Sequence, residues 1–310
     1  MKRNYLIVLI LCGILFFLIT MNPLFNFTSF SGELDRDLVI SYGTIIGGLF
    51  GPILTLISFF IIYNSFQEQI KYNEEQKKYN NEQTVFNDKQ MFLSNLNNDI
   101  KYLRDYVSTI KYREPGSMGF ALDEEMGELY FIKAKMQLDK LFKIVQDQEI
   151  FIDERDNIGA TFEIFYTGVG TNTVETLKAY LARRTTNDNV EKLINKIRKL
   201  KTKYNRKIVY YGGHQGKLGH YFRQLAYIYE KIEKCPLDID KYEAAKSIRV
   251  KMSNYEQSIL CYNSFTYLGK NWQDKGYIEK YKCICNIPQD FLPFNPKKYF
   301  QIEFEYETGL

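Results

Sequence analysis

The chain is poor in the side chains that most often bind transition metals. Its 310 residues include two histidines, His214 and His220, and five cysteines without the paired spacing of a zinc site. Cys283 and Cys285 form a C-x-C pair, and no second pair accompanies them. The sequence therefore predicts no metal and no cofactor, and the cysteines are interpreted as free thiols of a reducing compartment.

Complete catalytic motifs are missing as well. In "YYGGHQGKL", Tyr211 stands where a phosphate-binding P-loop needs its first glycine, and Leu218 stands where it needs Ser or Thr. No arginine lies five to seven residues before His220, so the Arg–spacer–His motif of defence ribonucleases is absent. The sequence favours a protein that is not an enzyme, although it leaves that question open.

Composition and periodicity indicate a folded, mainly α-helical chain. Hydrophobic residues make up 45% and charged residues 25%, as in globular proteins. Helical spacing of apolar residues dominates after the break at Pro115–Gly116, and it includes one helix over 219–234 and another over 240–267. Strand patterns are restricted to 207–211 and to the alternating segment 299–307. We expect at most a few short strands.

Charge is absent from two long runs near the N-terminus, residues 5–21 and 38–63. Each run has about the length of a transmembrane helix, so residues 1–63 are predicted to form a transmembrane hairpin. A cleaved signal peptide is the alternative for the first run, because Lys2 and Arg3 precede it. Residues 1–63 carry three cations and three anions, which leaves the net charge of +4 on residues 64–310. The positive-inside tendency then places both termini and the main domain in the cytoplasm.

Three glycines in the second run, Gly43, Gly47 and Gly51, repeat every four residues. Such a strip lets two helices approach closely inside a membrane. It is expected either to join protomers of a homo-oligomer or to pack the two spans of one chain against each other.

Residues 64–114 are polar at first and then carry an apolar stripe. The stripe has the 3–4 spacing of a packed or coiled-coil helix and consists of Leu93, Leu96, Ile100, Leu103, Val107 and Ile110. We predict a connecting helix that is solvated first and packed later; a flexible tether is the alternative for its first part. Pro115–Gly116 ends this element, so residues 115–310 are predicted to form the cytoplasmic helical domain.

Polar residues interrupt the apolar faces of the two predicted helices at 219–234 and 240–267. His220 and Arg223 share one face, next to Tyr221, and the second helix carries Arg249, Ser253, Glu256 and Asn263 at steps of 4, 3 and 7. If the helices pair antiparallel, these faces meet. They then form either a buried structural network or a ligand or nuclease pocket, and a surface patch is the third interpretation.

A basic tract follows residue 182. Its second half is the candidate contact for phosphates of nucleic acid or of anionic lipid, and consists of Arg198, Lys199, Lys201, Lys203, Arg206 and Lys207. A solvated helix face is the alternative interpretation.

Three blocks carry a resemblance to a known family. "LGHYFRQLAYIYEKI" at 218–232, "AKSIRVKMSNYEQSILCYNSF" at 245–265 and "YIEKY" at 277–281 resemble the signature blocks of the AbiC-like phage abortive infection proteins. "FNDKQMFLSNLNNDI" at 86–100 and "GATFEIFY" at 159–166 resemble further blocks more weakly, and the latter lacks an expected arginine.

The resemblance implies a bacterial anti-phage defence protein, and with the predicted hairpin it implies an inner-membrane location. We expect an abortive infection effector that senses a phage or host protein through its cytoplasmic domain and then disturbs the membrane or halts growth. The alternative is a membrane-tethered nucleic-acid-binding protein or nuclease that blocks phage replication. The expected partners are the lipid bilayer, further copies of the chain and, under the alternative, nucleic acid.

Overall fold

The computed structural model describes residues 36–112, 125–200 and 210–308, together with residues 13, 16 and 17. The described chain is mainly helical, as predicted. Its helices are α1 (Arg36–Thr109), α2 (Glu128–Gln146), α3 (Glu154–Thr167), α4 (Val174–Leu181), α5 (Asn187–Arg198), α6 (Gln215–Glu233), α7 (Lys241–Arg249), α8 (Asn254–Ser264), α9 (Lys270–Asp274), α10 (Tyr277–Lys280) and α11 (Glu305–Thr308). Strands β1 (Lys111–Tyr112) and β2 (Glu125–Met126) pair antiparallel, with Lys111 opposite Met126.

Two compact units divide the chain, residues 1–83 and residues 84–310, and α1 contributes to both. In the second unit α2 packs against α3 and α8, and α3 also packs against α4 and α6. Fully buried aromatic side chains fill the space between these helices, among them Tyr130, Phe131, Phe162, Tyr221 and Tyr262. Burial of such large side chains supplies most of the driving force that holds helices together in water.

The predicted transmembrane hairpin is wrong. In the part of the chain that the structure describes, no helix is both long and apolar enough to cross a membrane. The first run, 5–21, lies almost wholly outside the described residues, and the second lies within α1.

The apolar stripe at the end of α1 packs as predicted. Leu96, Ile100, Leu103 and Val107 are each at most 2% exposed, whereas residues 51–87 are exposed throughout. The change occurs where apolar residues begin to recur at helical spacing, because only that spacing gives a helix a face to bury.

The predicted helix over 240–267 is two helices, α7 and α8, separated at residues 250–253. Ser253 has extended backbone dihedrals and caps α8: its hydroxyl accepts a hydrogen bond from the Glu256 N–H, and the Glu256 carboxylate accepts one from the Ser253 N–H. This reciprocal capping box stops the helical path and starts a new one. Arg249 and Ser253 therefore do not share a face of one helix.

The C-terminal segment is extended but does not form a strand within the described residues. The alternation correctly located its buried side chains, since Phe300, Ile302 and Phe304 are each at most 8% exposed. The Glu305 N–H instead donates to the Cys285 carbonyl at 2.9 Å. The other strand candidate, 207–211, lies mostly outside the described residues.

Arg184 lies in the loop after α4 and connects that loop to α3 and to the end of α8. Its guanidinium donates to Glu163 at 3.0 and 3.1 Å, to Asp156 at 2.9 Å and to the Phe265 carbonyl at 2.8 Å. A Cβ at Gly159 would lie 2.4 Å from this guanidinium, so the Arg184 side chain would have to shift if residue 159 were not glycine.

Candidate functional site

Glu256 is completely buried and joins two helices that are far apart in sequence. One carboxylate oxygen accepts from Arg104 Nη1 of α1 at 2.6 Å, and the other accepts from the Ser253 N–H at 2.9 Å. A buried carboxylate is tolerated when both of its oxygens are satisfied in this way. We call Glu256, Ser253 and Arg104 the Glu256 clamp.

Further polar contacts hold α1 along α6. Asp99 pairs with Lys231 at 2.6 Å, and the Tyr106 hydroxyl donates to the Lys217 carbonyl at 2.7 Å. As α1 advances from Asp99 to Tyr106, its partners on α6 run backwards, so the two helices are antiparallel. The predicted polar face of α6 therefore packs against α1 as well as against the segment that follows it.

Tyr221 lies beside the clamp and is 0% exposed. Burial raises the pKa of its phenol well above the usual value, and the Glu256 carboxylate adds to that rise. Its hydroxyl forms no hydrogen bond with a described residue. Tyr221, Ser253 and Glu256 thus lie close together in the structure.

Arg249 is 7% exposed and has a different role. Its Nη1 donates to the carbonyls of Tyr281 at 2.9 Å and Lys282 at 3.4 Å, and its Nε has no partner among the described residues. Guanidinium donors that satisfy carbonyls after a helix end close that loop onto the core. Arg249 therefore fastens the segment after α10 to α7.

Asn263 is also buried, at 2% exposure, near the other end of α8. Its backbone carbonyl accepts from the Thr266 hydroxyl at 2.7 Å, and a Cβ at Gly269 would lie 2.1 Å from that carbonyl. Seven residues of helix, about 10 Å, separate Asn263 from Glu256. The structure does not bring it into the clamp.

His220 and Arg223 lie outside the buried cluster, on the surface between α1 and α6. The His220 ring meets the edge of Tyr106, with centroids 4.5 Å apart, and lies 6.4 Å from Tyr102. Arg223 is exposed and makes no ion pair or hydrogen bond with a described residue. The predicted polar stripe is therefore divided between a buried half and an exposed half.

The basic tract is described only in part. Both Nε and Nη2 of Arg198 donate to the Val169 carbonyl at 3.2 Å, and Lys199 is exposed. Lys201, Lys203, Arg206 and Lys207 lie outside the described residues. The phosphate or lipid contact of this tract stays a prediction, and Arg198 is committed to a structural hydrogen bond.

The glycine strip is open in the described structure. A Cβ at Gly43, Gly47 or Gly51 would meet no described atom within 4 Å. Its role in helix packing, in protomers or within one chain, stays a prediction, as do the oligomeric state and the inner-membrane location.

The other histidine, His214, is buried. His214 Nδ1 pairs with the Tyr130 hydroxyl at 2.8 Å, Nε2 pairs with Gln137 Oε1 at 3.0 Å, and the ring stacks on Phe165. Burial lowers its pKa to about 3, with Lys217 contributing. Among the described residues, no group of His, Cys, Asp and Glu is placed to hold a metal ion.

Sequence reasoning missed Arg104, Tyr102 and Tyr166. The i, i+4 spacing of Tyr102 and Tyr106 signalled one aromatic face on α1. Nothing local marked Arg104 as the partner of a residue 152 positions later, since ion pairs between distant elements depend on tertiary packing.

Comparison with known proteins supports the resemblance. The family model described as "Putative phage abortive infection protein" matches residues 213–292, which include α6, α7 and α8. No curated protein and no solved structure matches the chain. The matched segment contains Tyr221, Arg223, Arg249 and Glu256, so both halves of the polar stripe lie within it.

Proposed function

We propose that this chain, whose residues 213–292 match the phage abortive infection family, is an anti-phage defence protein in which that segment controls the long helix α1. One observation carries the proposal: the polar residues of the matched segment contact α1 directly. Glu256 binds Arg104, and Lys231 binds Asp99. A change of conformation in the matched segment is thereby coupled to α1.

The proposed sequence of events has two steps. The matched segment senses a phage or host product, and the response passes through α1, which halts growth of the infected cell. Polar pairs across a helix interface suit such a role because they fix one register and can be replaced by another set of pairs. The alternative function, a nucleic-acid-binding protein or nuclease that blocks phage replication, stays a hypothesis.

A charge swap at Asp99 and Lys231 tests the coupling. Both side chains are partly exposed, at 30% and 25%, so each tolerates the opposite charge without unfolding the protein. Asp99→Lys and Lys231→Asp each place like charges together and should reduce survival of a phage-infected culture. The double variant should restore it.

The matched control is Glu243→Lys, which replaces the exposed ion pair between Glu243 and Lys246 inside α7 by two like charges. It should leave protection unchanged. Hydrogen exchange over residues 93–110 reports whether α1 loosens in the single variants. Single variants that loosen α1 and still protect fully would refute the coupling, while the family match would stand.

A further inference from the structure

Arg223 lies on α6, in the exposed half of the polar stripe. It has neither an ion pair nor a hydrogen bond with a described residue. Arginine offers several N–H donors in one plane, which match the oxygens of a phosphate. An arginine left without an acidic partner is available to an anion from solution.

A second donor at this site is buried and also lacks a partner. Tyr166 of α3 is 8% exposed and stacks on Phe162, with ring centroids 5.6 Å apart. Its hydroxyl makes no hydrogen bond with a described residue. The hydroxyl is not among the buried unsatisfied groups, so it reaches solvent and is available to donate to water or to a ligand.

The Tyr166 hydroxyl and the Arg223 guanidinium both lie next to Gly219 of α6. A Cβ at this position would lie 3.0 Å from the Tyr166 hydroxyl and 3.4 Å from Arg223 Nη1. The missing side chain therefore leaves a narrow gap on α6, slightly too tight for a methyl group, that both groups border. No positive φ requires glycine here, so backbone conformation does not account for it.

The electrostatic environment favours an anion. Burial raises the pKa of both Tyr106 and Tyr166, so their hydroxyls remain protonated at neutral pH. Arg223 is the charged group that acts on both of them. The Tyr106 hydroxyl already donates to the Lys217 backbone carbonyl, whereas the Tyr166 hydroxyl is free to donate to a ligand.

An aromatic surface adjoins the two donors. Tyr102 is 57% exposed, and its ring meets His220 edge to face, while His220 packs against Tyr106. Exposed aromatic rings beside an arginine are the usual arrangement for stacking a nucleobase whose phosphate is bound by the cation.

We propose that Arg223, Tyr166 and Tyr102 bind a nucleotide, either free or within a single-stranded nucleic acid. The guanidinium and the Tyr166 hydroxyl bind the phosphate oxygens on the solvent side of the gap at Gly219, and Tyr102 stacks on the base. The site rests on this geometry and does not depend on the proposed control of α1.

Gly219→Ala tests the site without removing any of its donors. The added methyl group fills the gap and must displace the Tyr166 hydroxyl or Arg223, while alanine favours the helix. Gly216→Ala is the matched control, because it lies in the same helix with no described atom within 4 Å of its Cβ. Calorimetric titration of the full chain with adenosine 5′-monophosphate should show about tenfold weaker binding for Gly219→Ala. Gly216→Ala should bind like the wild type.

Two further variants remove one donor each. Arg223→Gln and Tyr166→Phe should each weaken binding of the mononucleotide about tenfold, since each loses a hydrogen bond to a charged group. Lys192→Gln, which removes an exposed lysine of α5, is the control for non-specific attraction. Equal weakening by Lys192→Gln, or unchanged binding in Arg223→Gln, would overturn the proposal.

The probes also separate the sources of the phosphate. Adenosine without phosphate should bind at least tenfold more weakly than the mononucleotide. A short single-stranded oligonucleotide that binds more tightly than the mononucleotide, and depends on Arg223, identifies a nucleic acid strand as the ligand. Tighter binding of the mononucleotide identifies a free nucleotide. Adenosine that binds as tightly as the mononucleotide, or no binding by any probe, would refute the phosphate site.

Discussion

Glu256 and Arg223 both lie in the matched segment, yet the protein uses their charges differently. Glu256 is 0% exposed and is held by Arg104 and by the Ser253 N–H. Arg223 is exposed and is held by no described residue. A buried charge without partners would strongly destabilise the fold, so Glu256 requires both of its partners. An exposed charge costs little, so Arg223 remains available for binding.

The largest expected effect comes from breaking the buried half. Glu256→Ala removes the capping box of α8 and leaves Arg104 unpaired, which should lower the free energy of unfolding by roughly 3 kcal/mol. This loss of stability is at the low end of the range for a broken buried ion pair, because Arg104 is 29% exposed and can reach water. Urea denaturation measures the change. Glu243→Ala, which removes an exposed carboxylate from the first turn of α7, should cost less than about 0.5 kcal/mol. Equal costs for the two variants would contradict the comparison.

A smaller effect is expected at His214 when the pH is lowered from about 7 to about 5. Its pKa in the folded protein is about 3, below the value of about 6.5 in an unfolded chain. The unfolded state therefore binds the proton first. This contribution to stability is fully present above about pH 6.5 and is lost as the pH falls towards 3, by up to about 1.4 kcal/mol per pH unit. His214→Gln should flatten the dependence of the unfolding free energy on pH between 6.5 and 4. Parallel pH profiles for the two proteins would contradict a neutral buried His214.

The smallest effect on stability is expected in the exposed half. Arg223→Gln should change the free energy of unfolding by no more than about 0.5 kcal/mol, because no described residue depends on its guanidinium. If the exposed half carries function, the variant should nevertheless lose phage protection. Thermal melting and infection at high phage dose measure the two quantities. A loss of stability above about 2 kcal/mol would show that Arg223 is structural, and the distinction between the halves would disappear.

The errors made from the sequence have identifiable physical causes. Ser253 and Glu256 were interpreted as members of one helical stripe, although Ser-x-x-Glu is also the pattern of a capping box. The capping box forms because it satisfies backbone N–H groups at the start of α8. In a continuous helix these N–H groups would already be bonded to carbonyls of the preceding turn. The predicted hairpin is contradicted by the finding that no described helix is both long and apolar enough to cross a membrane.

The amino-acid sequence by itself determined the helical class, the apolar stripe that packs the end of α1, the buried side chains of the C-terminal segment and the resemblance at residues 218–281. These follow from local periodicity, because burial of one face at helical or alternating spacing is a property of each segment alone. Only the tertiary structure decided that Glu256 pairs with Arg104, that Arg184 occupies the space above Gly159, and that Tyr166 and Arg223 border the gap at Gly219. Each of these depends on which elements pack together. The sequence pattern marks which residues are polar, and packing determines which of them are paired and which remain free to bind a ligand.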